Sequence, residues 1–261
     1  MLGLRRRVLL VLLMTTPLQA QGEIQTKSSG SLVIAGGGAL PREGIAQFCE
    51  LAGGEKATLV VIPTASRRVG PDRLKKLWKQ RGFTRIEVLH TTDRQVADSA
   101  KFVEPLRSAN AVWFGGGAQS RLAKYYLDTR AEREIVAVYQ RGGVVGGTSA
   151  GAAIQSRVMI QSGNPVPVIG KGLDLLPDCI IDQHFLARDR FNRLLYTVTK
   201  HPKRVGVGIS EGTMLIYRGG QCQVIGKAFV TTVAVQPLSK PPTIHTFGNG
   251  SKFRIDAVRG R

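Results

Sequence analysis

The sequence predicts an α/β fold, a three-layer α/β/α sandwich around a mostly parallel central sheet. Three observations lead there. Segments rich in Val, Ile, Leu and Ala alternate with segments of helical periodicity, and a strand-rich stretch follows them. The apolar runs are nearly unbroken, as strands buried on both faces require. Aromatic residues make up only 6% of the 261 residues, which disfavours an aromatic-rich β-sandwich. With 43% hydrophobic residues, no internal repeat and no Ser/Pro/Gly linker, the chain is long enough for one domain with a large core.

The elements follow in order. Residues 1–20 read as an export leader: Arg5, Arg6 and Arg7 form a basic start, Val8 to Met14 a short apolar core, and Pro17-Leu18-Gln19-Ala20 a small-residue cleavage site before Gln21. The apolar run falls far short of the roughly 20 residues of a membrane-spanning helix, so no stable membrane anchor is expected. The protein is therefore expected outside the cytoplasm, secreted or periplasmic. Residues 21–261 form the single domain, with its core at about 30–235 and a C-terminal extension at 236–261. Ser31 to Ala35 is a first buried strand, ending in Gly36-Gly37-Gly38, and a helix runs from Gly44 to Leu51. Ala57 to Ile62 is the second strand. Pro71 to Gln80 begins with two good first-turn residues and places Leu74, Leu77 and Trp78 at helical spacing. Arg85 to Leu89 is a strand, Ala97 to Leu106 a short helix, and Ala109 to Phe114 a strand running into Gly115-Gly116-Gly117.

Ala118 to Gln140 reads as helix, in one piece or two, and Gly143 to Gly146 as a short central strand. Residues 157–178 read as loop or hairpin, and Cys179 to Ile181 as a brief strand. Ala187, Phe191, Leu194, Leu195 and Val198 then form one apolar helical stripe. Val205 to Ile209, Thr213 to Tyr217, Gln223 to Ile225 and Phe229 to Val233 read as strands, the later ones antiparallel.

Cys49, Cys179 and Cys222 are widely spaced and odd in number. Without a C-x-x-C pair, and with only four histidines, the chain offers no zinc-ligand spacing, and no metal or organic cofactor is expected. Buried thiols are the better account, although two of them are free to pair in an oxidising compartment. The formal charge is +19, or +16 without the leader's three arginines. Such a balance favours anionic partners in general. The basic residues are dispersed and accompany no nucleic-acid-binding signature, so no nucleic-acid partner is expected. A dinucleotide-binding reading of Gly36-x-Gly38 fails at Pro41, where its third glycine would stand, and a tight turn accounts for the glycines.

The most informative segment is Val144 to Ala152, in which Gly147, Ser149 and Gly151 fill the pattern G-x-S-x-G between an apolar strand and a small-residue helix start. At such a turn the serine hydroxyl is presented above the strand end, and the Ala150 amide faces a developing oxyanion. A plain strand–helix turn with Ser149 as a cap is the competing reading, and partners decide between the two. His184 is the best-placed imidazole, just past a strand end in Ile180-Ile181-Asp182-Gln183-His184-Phe185. Glu211 likewise follows the 205–209 strand, beside Gly212.

Three blocks resemble successive motifs of the cyanophycinases. They are Gly147-Thr-Ser-Ala-Gly-Ala152, Asp182-Gln-His-Phe-x-x-Arg-x-Arg-x-x-Arg-Leu194 and Gly206-Val-Gly-Ile-Ser-Glu-Gly-Thr213. The likeness runs from about Gly30 to Val233. It implies a serine peptidase with a fold similar to class I glutamine amidotransferase domains, in which Ser149 is the nucleophile, His184 the general base and acid, and Glu211 the orienting carboxylate. Phe114 to Gln119 resembles the family's glycine-rich strand end, which assigns Gln119 to substrate binding and Gly116 or Gly117 to the second oxyanion amide. The chain departs from the family at Ala118, where an aspartate is expected. Asp182, Gln183, Arg188, Arg190 and Arg193 become the expected specificity group, their guanidinium groups suited to carboxylates. The implied substrate is cyanophycin, a poly-aspartate carrying arginine on its side-chain carboxyls, or another aspartate-containing peptide. An aspartyl or isoaspartyl dipeptidase and a non-catalytic binder of anionic polymer are the alternatives. Oligomeric state is left open, a homodimer being one allowed form.

Overall fold

The computed structural model describes residues 30–68, 70–176, 178–236 and 240–259. The leader expected at 1–20 lies outside the described residues. The chain runs β1 (Ser31–Ala35), α1 (Arg42–Leu51), β2 (Thr58–Ile62), α2 (Pro71–Gln80), β3 (Arg85–Val88), α3 (Arg94–Ala97), α4 (Ala100–Ser108) and β4 (Ala111–Phe114). It continues through α5 (Gln119–Tyr126), α6 (Arg130–Gln140), β5 (Val144–Thr148), α7 (Ala150–Ala153), β6 (Val158–Ser162), β7 (Val168–Lys171) and β8 (Cys179–Gln183). The remaining elements are α8 (Phe191–Lys200), β9 (Val205–Ile209), β10 (Thr213–Arg218), β11 (Gln221–Gly226), β12 (Val230–Ala234), β13 (Thr243–Phe247) and β14 (Lys252–Arg254).

Among the described residues the main sheet has eight strands in the order β14-β11-β10-β1-β5-β4-β2-β3. The five from β1 to β3 are mutually parallel, and β10, β11 and β14 extend the sheet antiparallel. Its central strands, β1 and β4 among them, are buried on both faces, with side chains alternating between the two at the period of two that the pleat dictates. Leu32, Ile34, Val60, Ile62, Val112 and Phe114 enter one core, and Val33, Ala35, Leu59, Val61, Ala111 and Trp113 enter the other. The second core is closed by α1 and α2, where Phe48 packs against Trp78 and Trp113 at ring-centroid distances of 5.7 and 5.0 Å.

Two differences from the sequence expectation matter for the site. First, the late strands do not all join one sheet. β8, β9, β12 and β13 form a separate four-stranded sheet packed with α4–α7 against the first core, and α8 covers its outer side through Leu194 and Val198. Gly212, at φ 68°, turns the chain from β9 in this sheet to β10 in the other. Second, the helix expected to include Ala187 begins at Phe191, and Ala187 is exposed on the preceding turn. The smaller differences have local causes. The 97–106 helix divides because Asp93 caps α3 and Ser99 caps α4, each accepting an amide hydrogen bond in its helix's first turn. The 118–140 helix divides near Asp128, which sits at φ 59°. Residues after 236 supply β13 and β14, one edge strand to each sheet. Cys179 and Cys222 are free thiols buried in the same core, and burial raises Cys222 to about 12.

Candidate active site

Ser149 alone joins β5 to α7, at φ 54° and ψ −111°, a backbone state that serine adopts only under constraint. The flanking glycines permit so tight a crossing. A methyl on Gly147 would lie 2.3 Å from the Gly151 carbonyl oxygen, and one on Gly151 2.3 Å from that of Phe114. No larger residue fits either place.

His184 and Glu211 follow β8 and β9, parallel neighbours in the second sheet. Ser149 Oγ lies 2.8 Å from His184 Nε2, and His184 Nδ1 lies 2.5 Å from Glu211 Oε1. The structure therefore brings together the alcohol, imidazole and carboxylate that the sequence singles out. Its hydrogen bond with His184 holds the Glu211 carboxyl below the usual glutamate range, and the charges of His184, Arg188 and Lys227 act in the same direction. As pH falls, Glu211 thus stays ionised past the point where a free glutamate protonates, and the pairing fades only below that lowered value. A carboxylate on Nδ1 makes that nitrogen the N–H donor and turns the Nε2 lone pair towards the serine hydroxyl. Such a chain can take a proton from the alcohol as it attacks a carbonyl.

The backbone that carries these groups is tied to the end of β1. Ser149 N donates to Ala35 O at 3.0 Å, His184 N to Gly36 O at 2.7 Å, and Gly212 N to Gly37 O at 2.9 Å. Gly37 also lies directly under the imidazole. A methyl there would fall 2.3 Å from His184 Cε1, and its φ of 106° favours glycine. The sequence identifies Gly36-Gly37-Gly38 only as a tight turn. Its position at the carboxyl end of a first parallel strand, where sites of open sheets collect, is the signal that points further.

Gly116 runs beside the serine, and a methyl built on it would lie 3.5 Å from Ser149 Cβ. Gly117 instead presses on the Ala65–Ser66 turn, its own methyl position 2.3 Å from Ala65 O. Of the two expected glycines, Gly116 is thus the nearer neighbour of Ser149. Ala150 begins α7, so its amide has no intrahelical acceptor. Gln119 is 7% exposed and donates Nε2 to Ile160 O at 2.8 Å, which clamps β6 and leaves one amide proton and its carbonyl oxygen uncommitted to that bond.

The expected specificity group is largely turned inward. Asp182, 1% exposed, accepts both Nε and Nη2 of Arg193, the first at 2.7 Å. Arg193 Nη1 donates to Gly163 O at 2.7 Å, and Arg190 Nη1 donates to the backbone and side-chain oxygens of Gln183. Burial pushes the Asp182 carboxyl up while Arg193 pulls it down, and burial beside Arg193 lowers Arg190 to about 10. Arg193 thereby ties α8 to β8 and to the β6–β7 turn, whereas Arg190 keeps its Nε buried without a hydrogen-bond partner. Only Arg188 of the five is exposed. Arg193→Ala, which strands a buried carboxylate, should therefore lower unfolding stability by about 3–5 kcal/mol in urea denaturation. Wild-type stability in that variant would contradict the bracing role.

Known proteins supply the family. The model of peptidase family S51 matches residues 32–225. A cyanophycinase of Nostoc sp. (strain PCC 7120) is 34% identical over 220 residues, covering 80% of this chain and 74% of that protein. The cyanophycinase of Synechococcus elongatus is 34% identical over 225 residues, covering 80% and 69%. A crystal structure of a peptidase from an acI-B1 actinobacterium superposes with a TM-score of 0.67 at 26% identity, over 86% of this chain and 96% of that one. The matched span includes β1, the Ser149 turn, His184 and Glu211, so sequence and geometry converge: the chain belongs to peptidase family S51.

Proposed function

We propose that this peptidase degrades cyanophycin through an acyl-enzyme on Ser149, releasing dipeptides of aspartate carrying arginine on its β-carboxyl. The hydrogen-bonded chain Ser149–His184–Glu211 supports the mechanism above all other observations. Ser149 Oγ attacks a backbone carbonyl of the poly-aspartate, and His184 Nε2 accepts the hydroxyl proton. Glu211 steadies the imidazolium, and the Ala150 amide, with that of Gly116, holds the oxyanion. Collapse of the intermediate breaks the C–N bond, and His184 returns its proton to the leaving amine. Water, deprotonated by the same imidazole, then attacks the ester, and Ser149 recovers its proton as the acid product departs.

Cyanophycin is favoured as substrate by the two cyanophycinase relatives, which share a third of their aligned residues with this chain. Purified protein incubated with insoluble cyanophycin should release β-aspartyl-arginine, detected by mass spectrometry. Ser149→Ala should lose that turnover by roughly 10⁶-fold, the scale of deleting a triad serine. Residual turnover near wild type in that variant would remove the mechanism. Cleavage of simple aspartyl dipeptides without release from the polymer would replace the substrate with short peptides.

The leader motivates an extracytoplasmic site of action. Amino-terminal sequencing of protein recovered from an exporting host should begin at Gln21; an intact Met1 in the folded product would oppose export.

A further inference from the structure

A groove of about 800 Å³ adjoins Gly116 and is lined by Ser66, Arg67, Arg68, Arg73 and Leu77 among others. It opens from the ends of β2 and β4, on the far side of β5 from β1 and the loop that bears His184. All three arginines are exposed, and no ion pair among the described residues engages any of them. Among the described residues no carboxylate lines the groove.

The turn that presents Arg67 and Arg68 is fastened rather than loose. Ser66 N donates to Pro63 O at 2.9 Å, Ser66 Oγ donates to Arg68 O at 2.9 Å, and Arg68 N donates to Ser66 Oγ at 3.1 Å. From behind, Arg121 Nε donates to Thr64 O and Ala118 N to Ala65 O, both at 3.0 Å. That second bond ties the turn to the glycine loop flanking Ser149. Arg73 approaches from the first turn of α2. Three arginines thus line one groove that reaches Gly116, the neighbour of Ser149. Their planar forks match carboxylates, and their shared charge repels a substrate guanidinium.

We propose that this groove binds carboxylates of the peptide being cleaved, and that Arg67, Arg68 and Arg73 determine the preference for an acidic chain. The inference rests on the peptidase reading of Ser149 and deepens it. The sequence points to Arg190 and Arg193 for carboxylate recognition, whereas Arg193 is engaged by Asp182 and Arg190 by Gln183, and three further guanidinium groups outside any ion pair among the described residues line a groove on the opposite side of the serine. In cyanophycin the carboxylates in question are those of the arginine branches, whose guanidinium ends then point out of the groove.

The test uses the full chain bearing Ser149→Ala and tetra-aspartate as probe, with binding measured by calorimetry at two salt concentrations. Adding Arg67→Gln, Arg68→Gln and Arg73→Gln together should weaken binding by about tenfold or more and flatten its salt dependence. A charge-matched control, Lys101→Gln, Lys203→Gln and Lys252→Gln, should stay within about twofold of the parent, since those lysines are exposed elsewhere. Arg73→Gln alone, on the helix surface, gives a smaller loss in the same direction and guards against misfolding of the turn. Equal binding by the triple variant overturns the proposal. So does an equal loss in the control, or a parent that fails to bind tetra-aspartate. If wild-type protein leaves cyanophycin intact while tetra-aspartate binding still depends on the three arginines, the groove stands and the polymer substrate falls.

Discussion

Three successive carbonyl groups at the end of β1 hold the site together. Ala35, Gly36 and Gly37 accept the amides of Ser149, His184 and Gly212, and those three amides belong to chain segments leaving β5, β8 and β9. The serine rides on the main sheet and the other two groups on the second sheet, so their relative position depends on how the sheets are joined. Each hydrogen bond contributes only about 1 kcal/mol net to stability. Their greater consequence is geometric, because proton transfer between Ser149 and His184 requires placement to within a fraction of an ångström. Gly37 completes the arrangement by having no side chain where the imidazole lies.

Charge is divided in the same structural way. The chain has 37 Lys and Arg against 18 Asp and Glu, and position rather than number decides what each arginine does. Arg193 is buried against Asp182, where its worth is to avoid stranding a carboxylate in the interior. Arg188 stays in the open and helps keep Glu211 ionised. A guanidinium engaged through all three nitrogens, as that of Arg193 is, cannot also receive a ligand, whereas arginines at the surface can.

Much of this architecture is legible in the residues themselves. The parallel strands show as unbroken apolar runs, and the helical pattern from Pro71 to Gln80 coincides with α2 at both ends. Ser149 is visible because G-x-S-x-G records a backbone constraint that only small neighbours meet. The second sheet is hidden because a strand buried on both faces has the same composition in either sheet, as Val205 to Ile209 illustrates. The pairing of Asp182 with Arg193 is hidden for a related reason. An acid and a base at that spacing are equally suited to meeting each other or a substrate, and burial alone separates the outcomes. The supporting role of Gly36 to Gly38 is masked because a catalytic support and an ordinary turn both demand glycine.

The central claim is that the β1 end sets the distance between hydroxyl and imidazole. The most direct measurement is the cyanophycin turnover rate of Gly37→Ala in protein whose thermal transition shows it folded. Because the added methyl displaces His184 by on the order of 1 Å, kcat should fall by about 100-fold, and a crystal structure of the variant should show Nε2 withdrawn from Ser149 Oγ. Turnover equal to wild type, with the 2.8 Å contact intact, would contradict the account.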